Sequence, residues 1–283
     1  MPSFAWRIVA AVLLVLGLGA LPAPVFSQEA AAASPAIVDL GTLGGGYSYS
    51  TAINARGQVV GNSGTAAQET HTFLWDKGTM RDLGTLGADY SYAAAINARG
   101  QIVGYSEVEP GVLHAFLWEK GVLTDLSART SDYSSALAIN DRGEVLGYRV
   151  AANNSEACLW KQERLTMLGV LSGGFSYATG LNNRGQVAGY SSLAPSGLHA
   201  IMWINGALTD LGALGGGRSF ASGVNDAGQV IGQSTTADGR WHAVLWETTG
   251  AAAGLLAANI EAETEPYARM SVSEQLYLPL VEH

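Results

Sequence analysis

Short runs of alternating hydrophobic and polar residues fill most of this chain, and they recur in sets of four. The first set covers residues 49–54, 58–62, 72–75 and 80–83. Alternation with β-branched content predicts strands, because no window carries a helical stripe longer than about one turn. We name the four strands of a set a, b, c and d, in chain order.

The set of four strands repeats about every 43 residues. Its most visible marker, Asp-Leu-Gly-Thr-Leu-Gly, begins at Asp39 and Asp82, weakens at Asp125 and Met167, and returns at Asp210. Self-similarity at a fixed period is the signature of an array built from one supersecondary unit. Five copies therefore occupy residues 37–255.

Two glycine positions recur in every copy. The first closes an Asn-x-x-Gly turn between strands a and b, where glycine supplies the positive φ of a type I turn with a bulge. The second lies inside strand b and indicates close approach of a backbone or a ring. We expect the ring to be the tryptophan that ends strand c. The strand b glycines are Gly61, Gly104, Gly147, Gly189 and Gly232, and the tryptophans are Trp75, Trp118, Trp160, Trp203 and Trp246.

Four antiparallel strands in one repeat match one blade of a β-propeller. The predicted fold class is therefore all-β, a five-bladed β-propeller. An open row of blades would leave unpaired edge strands, which proteins avoid. Residues 37–40 form a d-type strand with no a, b or c before it, and they are predicted to close the ring beside the last c strand. The weak strand at 251–255 is the alternative for that place.

Histidine begins strand c in four copies, and strand d normally carries aspartate. Both exceptions, Glu156 and Met167, fall in the third copy. The coincidence predicts one structural His–Asp pair per blade, whereas metal ligands or catalytic bases would cluster in one place. The predicted pairs are His71 with Asp82, His114 with Asp125, His199 with Asp210, and His242 with Asp39 across the closure. Cys158, the only cysteine, takes a core position in strand c and is expected to be a buried, unreactive thiol.

The first 27 residues are predicted to be a signal peptide. Arg7 precedes an apolar run of about 14 residues, and small or modest side chains fit cleavage before Gln28. An uncleaved anchor is the alternative, but the run is shorter than the roughly 20 residues a spanning helix needs. The mature form is therefore expected to have no membrane span and to be secreted, into the extracellular or periplasmic space. Residues 28–36 are predicted to be a flexible leader, and 256–283 an acidic and then apolar tail.

The formal net charge is −9, and removal of Arg7 with the signal peptide makes it one unit more negative. Proteins that bind nucleic acid need clustered Lys and Arg to displace counterions, so nucleic acid is excluded as a partner. An anionic membrane surface is disfavoured for the same reason.

The repeat resembles the HAF-repeat family of bacterial extracellular proteins. The resemblance rests on His-Ala-Phe-Leu-Trp at 114–118, on Asp-Leu-Gly-Thr-Leu-Gly, and on Ala-Ile-Asn-x-Arg-Gly-Gln-Val-Val-Gly, and it covers residues 39–250. The sequence departs from the pattern at 127–130 and 156–158. That family is defined by its repeat and not by an activity. The resemblance implies secretion and a β-propeller-like repeat architecture, and it supplies no catalytic residues.

The copies differ most in their b–c and d–a loops, which the strand order places on one rim. Variable loops on a rigid scaffold usually carry recognition. The d–a loops end in an aromatic residue or an arginine, in two copies directly after an aspartate, a combination suited to sugars or polar polymers. The tyrosines could instead be packing wedges between blades. The predicted ligand-binding residues are Tyr47, Tyr90, Tyr133, Phe175, Arg218, Asp89 and Asp132.

The sequence thus predicts a secreted, non-catalytic binding module for an extracellular ligand, either carbohydrate or protein. It lacks the motifs of hydrolases, zinc proteases and nucleotide sites, so no catalytic residue, metal or cofactor is predicted. One alternative is a structural or surface-associated repeat protein. The other is a glycosidase or polysaccharide lyase, which needs acid and base groups near the axis. Asp89, Asp132, Arg129 and Arg218 are the only groups available for that chemistry.

Overall fold

A computed structural model describes residues 36–127, 133–151, 154–162, 164–195 and 197–248. The chain divides into two units, residues 1–39 and 40–283, and every strand belongs to the second. The described residues form strands and turns without a helix, which confirms the all-β prediction. Nothing in this part of the chain is a helix with the length and hydrophobicity that crossing a membrane requires.

The first three copies each form a four-stranded antiparallel sheet with the strands in chain order, which we call a blade. The strands of these three blades are β1 (Gly44–Ile53), β2 (Val59–Thr65), β3 (Thr70–Asp76), β4 (Thr79–Asp82), β5 (Ser91–Ile96), β6 (Ile102–Glu109), β7 (Val112–Glu119), β8 (Val122–Asp125), β9 (Tyr133–Ile139), β10 (Val145–Ala151), β11 (Asn154–Lys161) and β12 (Arg164–Met167).

The fourth and fifth copies repeat this pattern and are joined by one parallel bridge between Leu198 and Arg218. The fourth copy has four strands, and the fifth has three among the described residues. Residues 36–42 contain no strand, and 251–255 lie outside the described residues, so ring closure stays a prediction. The strands are β13 (Ser176–Leu181), β14 (Val187–Leu193), β15 (Gly197–Ile204), β16 (Ala207–Asp210), β17 (Gly215–Val224), β18 (Val230–Thr236) and β19 (Trp241–Trp246).

The glycine inside strand b lies against a main-chain carbonyl of strand a. In the second blade the register shifts between Ala93 and Ala95, and the resulting bulge turns the Tyr92 carbonyl oxygen onto Gly104. The same arrangement recurs in the other blades, where a strand a carbonyl oxygen is the nearest atom to each glycine, and a ring is among the three nearest atoms at Gly61 (Phe73) and at Gly147 (Trp160). The prediction that tryptophan fills this space in every copy was therefore wrong, because a bulge carbonyl occupies it.

The hydrophobic core lies between blades. Each of the first four blades presents an aliphatic face to the following blade, which covers it with small side chains and a tryptophan. Between the first two blades, for example, Val60 and Leu74 pack against Ala93, Ile102 and Trp118. Three equivalent clusters fill the next three interfaces. The sheets are therefore held together by burial between neighbours of the same kind.

The five tryptophans that end the c strands differ in burial. Trp118, Trp160 and Trp203 are buried between two blades, whereas Trp75 and Trp246 are only half-buried. The difference follows from position, because the buried three lie in the second, third and fourth blades and have a blade on both sides.

The a–b turns are linked from blade to blade by asparagine. The Asn54 amide donates to the Asn97 carbonyl oxygen (3.1 Å), Asn97 to Asn140 (3.0 Å), Asn140 to Asn182 (3.0 Å), and Asn182 to Asn225 (2.8 Å). Turns of all five copies surround one opening of about 500 Å³. In the middle turns each amide also bonds the Gln or Glu four residues on, while its oxygen accepts two main-chain N–H groups. These asparagines are thus saturated by structural bonds.

The two ends of the array expose apolar surface. Ile231 and Leu245 on the fifth blade are 56% and 54% exposed, although their equivalents Val60 and Leu74 are buried. Ile53, on the opposite face of the first blade, is 68% exposed. The exposed face of the fifth blade is equivalent to the face with which the first blade packs against the second, and the exposed face of the first blade is equivalent to the face with which the second blade receives it.

Candidate functional site

Three of the predicted His–Asp pairs are within hydrogen-bonding distance. The Nδ1 atom of His71 lies 2.9 Å from both Asp82 oxygens, His114 Nδ1 lies 2.9 Å from Asp125, and His199 Nδ1 lies 2.8 Å from Asp210 Oδ2. Pairing of His242 with Asp39 stays a prediction, because Asp39 belongs to the other unit.

Each of these aspartates also accepts a hydrogen bond from the main chain at the start of the d–a loop. One carboxylate oxygen accepts the N–H group two residues later, from Gly84 (2.8 Å), Ser127 (2.7 Å) or Gly212 (2.8 Å). The carboxylate therefore joins strand c to the start of the d–a loop. Since the three pairs lie in separate blades, they act as repeated structural brackets and do not combine into one chemical centre.

The third blade carries a different polar bracket at the a–b turn. Glu144 replaces the glutamine of the other copies and is buried, with Lys161 Nζ 2.8 Å from Oε1 and the Asn140 amide donating to Oε2 at 2.6 Å. In the first blade the donor and acceptor are exchanged: the residue at the Glu144 position is Gln58, and its amide donates to the Asp76 carboxylate. Burial acts to raise the pKa of Glu144, but the bonds from Lys161 and Asn140 outweigh it and the net pKa is lowered.

A lowered pKa makes the Glu144 bracket sensitive to acid. Its contribution is complete above the ordinary glutamate pKa of about 4.5 and is lost as pH falls through the lower pKa of the folded state. We expect Glu144→Gln to cost about 1–3 kcal/mol at pH 7 and less at pH 3. Urea unfolding of both proteins between pH 3 and 7 measures this. A difference that stays constant across the range would contradict the assignment.

The predicted ligand-binding residues that the structure describes lie at or just before the starts of the a strands, in separate blades. Tyr47, on β1, donates to or accepts from the Thr70 hydroxyl at 2.5 Å. Tyr90 bridges to Thr70 of the preceding blade, and Arg218 bridges to Leu198 in the same way. Tyr133 begins β9, and half-buried Phe175 precedes β13.

The two predicted aspartates do not form a described acid–base site. Asp89 is exposed, and its main-chain oxygen accepts the Thr70 N–H at 3.0 Å. Asp132 and Arg129 lie outside the described residues. Asp89 and Arg218 belong to the second and fifth copies, on loops of different blades. Among the described residues no group of His, Cys, Asp and Glu side chains could hold a metal ion.

The structure groups the rim tyrosines with further rings that the sequence analysis missed. From Tyr133 the ring centroids continue to Tyr148 (6.0 Å), Tyr177 (6.1 Å), Tyr190 (5.5 Å), Phe220 (5.0 Å) and Trp241 (5.6 Å). Shorter groups join Tyr47 with Tyr49, and Tyr105 with Tyr90 and Tyr92. We call the whole set the aromatic belt. Its members are Tyr47, Tyr49, Tyr90, Tyr92, Tyr105, Tyr133, Tyr148, Tyr177, Tyr190, Phe220 and Trp241.

A signal for the missed rings was present in the sequence. An aromatic residue recurs two positions after Tyr47 and Tyr90, at Tyr49 and Tyr92, and therefore points to the same face of the strand. Strand b carries a tyrosine directly after its glycine in three copies, and cross-strand register makes Tyr92 and Tyr105 direct neighbours. Strand pairing, which the single sequence did not fix, was needed to join the two rows.

The rings in the middle of the aromatic belt are packed against one another, and the rings at its two ends are exposed to solvent. Tyr105, Tyr148 and Tyr190 are half-buried, with ring faces lying against other rings. Burial raises the pKa of Tyr105 and Tyr148, and raises that of Tyr190 to about 12, so these phenols remain neutral hydrogen-bond donors. Tyr47, Tyr49 and Trp241 are about half-exposed. The ring surface available to a ligand is therefore concentrated in the first and fifth blades.

Cys158 is fully buried, as predicted for a core thiol. It lies in the interface between the second and third blades with Val103, Ala136 and Trp160. Burial raises the pKa of the thiol, so the nucleophilic thiolate is suppressed.

Repeated four-stranded antiparallel blades, packed face to face with their turns around one opening, define an all-β protein of the β-propeller class. No family model matches the chain, and no curated protein matches it.

Solved structures similar to this chain include three with low identity. The β-propeller domain of the Trilobed protease from Pyrococcus furiosus matches with a TM-score of 0.43 and 14% identity, over 59% of this chain and 52% of that one. TolB from Acinetobacter baumannii matches with 0.43 and 13%, over 72% and 55%. The Aleuria aurantia lectin in complex with α-methyl-L-fucoside matches with 0.33 and 13%, over 71% and 74%. The chain thus spans about half the length of the first two.

Proposed function

We propose that this chain is a non-catalytic binding module that recognises a glycan with the rim formed by its b–c and d–a loops. The observation that carries the proposal is the aromatic belt, whose end members Tyr47, Tyr49 and Trp241 are about half-exposed. Rings with one open face and a polar tip suit the mixed apolar and hydroxylated surface of a sugar.

Glycan-array binding of the purified protein tests this proposal. Tyr49→Ala and Trp241→Ala are each expected to weaken binding about tenfold, which corresponds to about 1.4 kcal/mol. Val122→Ala is the matched control, because Val122 is an exposed apolar residue on β8 outside the belt. Binding that is unchanged in both ring variants would remove the belt from the function.

We further propose that five blades close into a ring, with residues 37–40 completing the fifth blade as its fourth strand. Closure would bring the exposed Ile231 and Leu245 against Ile53, in the manner of the four interfaces already formed. It would also offer the Asn225 amide the carbonyl oxygen of Asn54, the one step missing from the asparagine series.

The closure proposal predicts equal costs for two asparagine substitutions. Asn97 bonds the next blade, and Asn97→Ala is expected to cost about 2–3 kcal/mol because buried partners lose their bonds. With a closed ring Asn225→Ala costs about the same. Urea unfolding measures both variants. A much smaller loss for Asn225→Ala would show that the fifth interface does not form.

We also propose that the chain is exported and cleaved before Gln28, as a member of the HAF-repeat family that it resembles. The support is the arginine-led apolar run of the first 27 residues. Amino-terminal sequencing of the exported protein tests this, and a retained Met1 would exclude cleavage.

A further inference from the structure

The first-blade end of the aromatic belt presents two exposed rings close together. Tyr47 and Tyr49 are 47% and 45% exposed, and their ring centroids lie 6.2 Å apart with the planes 14° from parallel. Asn62, which pairs with Tyr49 across the sheet, stands where the second, third and fourth copies have tyrosine. In the second blade Tyr105 covers Tyr92 at 5.1 Å from this position. Tyr49 has no such ring on its cross-strand partner and therefore stays open.

These rings meet the second blade through Thr70. The Tyr47 hydroxyl lies 2.5 Å from the Thr70 hydroxyl, and the Thr70 N–H donates to the main-chain oxygen of Asp89 at 3.0 Å. The main chain of Glu107 in turn bonds the residues on both sides of Asp89, at 3.2 and 2.8 Å. Rings of the first blade and carboxylates of the second thus lie at one place, which we call the first junction.

The first junction carries unpaired negative charge. Asp89 and Glu109 are exposed, and within the described part of the chain their carboxylates make no hydrogen bond and no ion pair. The carboxylates of Glu69 and Glu107 are already engaged by groups of their own blades, at 3.2 and 2.6 Å. The charge that a ligand can meet is therefore that of Asp89 and Glu109.

Basic side chains do not offset this charge. Residues 39–47, 63–71, 83–90 and 106–114, which form this rim of the first two blades, contain neither Lys nor Arg. An anionic ligand is repelled from such a surface and a cationic one is attracted. The basic residues of the two blades lie instead on the a–b turns, the c–d turns and β4, and they are Arg56, Lys77, Arg81, Arg99 and Lys120.

A buried donor also lies at the first junction. The Asn62 side chain is fully buried, and its Oδ1 atom accepts the Ala93 N–H of the second blade at 2.9 Å. Its Nδ2 atom has no acceptor within 3.5 Å. Buried donors are seldom left unpaired, so this one marks a place beside Tyr49 where a hydroxyl or water brought by a ligand would be bonded.

We propose that the first junction binds an amino sugar of a polysaccharide, a 2-amino-2-deoxyhexose, with the pyranose ring on Tyr49 and the ammonium group at Asp89. The inference rests on the proposed glycan-binding function and names the sugar class for its first-blade end. A tyrosine face covers the apolar side of a pyranose and also attracts a cation. An ammonium group donates charge-assisted hydrogen bonds to a carboxylate, which a neutral sugar cannot do.

Isothermal titration with matched trisaccharides tests the proposal. The probes are β-1,4-linked trimers of glucosamine, N-acetylglucosamine and glucose, of which only the first is charged in mildly acidic buffer. The full chain is expected to bind the glucosamine trimer about tenfold more tightly than either neutral trimer. Asp89→Asn is expected to lower the affinity for the glucosamine trimer to that of the neutral ones, and Tyr49→Ala to weaken all three about tenfold. At about 1 M salt, where the Debye length is about 3 Å, the preference is expected to disappear.

The control is Asp238→Asn, which removes an exposed carboxylate of the fifth blade that Arg240 Nε already bonds at 2.8 Å. It is expected to leave the preference intact. If the neutral trimers bind as tightly as the glucosamine trimer, or if Asp89→Asn keeps the preference, the inference is wrong while glycan binding stands. If tri-lysine binds as tightly as the glucosamine trimer, charge alone is recognised and the sugar assignment is wrong. If the unmodified chain binds no trimer and no glycan on the array, the proposed function fails with it.

Discussion

Replacement of Gly104 by alanine is expected to lower the free energy of unfolding by about 3 kcal/mol, at the upper end of the usual cost of overpacking. The added methyl group would overlap the Tyr92 carbonyl oxygen and crowd Ala93. Neither can withdraw easily, because the carbonyl belongs to the bulge of strand a and Ala93 is fully buried in the interface with the first blade.

Urea unfolding measures this loss, with Gly46→Ala as the matched control. No atom lies within 4 Å of a methyl group built at Gly46, so that variant is expected to be neutral or slightly stabilising. Equal losses in both variants would mean that removal of a glycine in general, and not the bulge carbonyl, sets the cost.

The second large effect is expected at Trp160, where alanine should cost about 4 kcal/mol. The ring is 2% exposed, packs with Val103, Ala136 and Cys158 between two blades, and donates from Nε1 to the Leu126 carbonyl oxygen at 3.1 Å. Truncation leaves a cavity and also leaves a carbonyl of the preceding blade without its donor.

Trp241→Ala serves as the comparison, because the same side chain is removed from an exposed position at the end of the belt. Its cost is expected to stay under about 1 kcal/mol. Thermal or urea unfolding of the two variants separates them. If Trp160→Ala unfolded as readily as Trp241→Ala, the interface between the second and third blades would not be a principal source of stability.

The repeated architecture could be predicted because its signals are local. Turn glycines, alternation and period identify strands and blades without knowledge of distant contacts, and the coincidence of Glu156 with Met167 was enough to pair histidine with aspartate. Those pairs lie on adjacent strands, so a short separation along the chain determines the contact.

The parts that could not be predicted depend on how strands and blades meet. Whether Gly104 faces a ring or a carbonyl depends on a one-residue bulge, which sequence periodicity does not reveal. The joining of Tyr148 to Tyr177 depends on the packing of two blades. The recognition role of the variable rim stays a prediction, and the exposure of each ring could not be read from the sequence.

The asparagine links between turns all point the same way, each amide reaching forward to the copy that follows it. The same asparagine supplies the side-chain amide that donates to the next repeat and the main-chain carbonyl that accepts from the preceding one. A unit duplicated within the array brings both with it, and its joints match on either side. Insertion or deletion of a whole repeat therefore preserves these hydrogen bonds, whereas insertion of part of a repeat would leave an amide donor or a carbonyl acceptor unpaired.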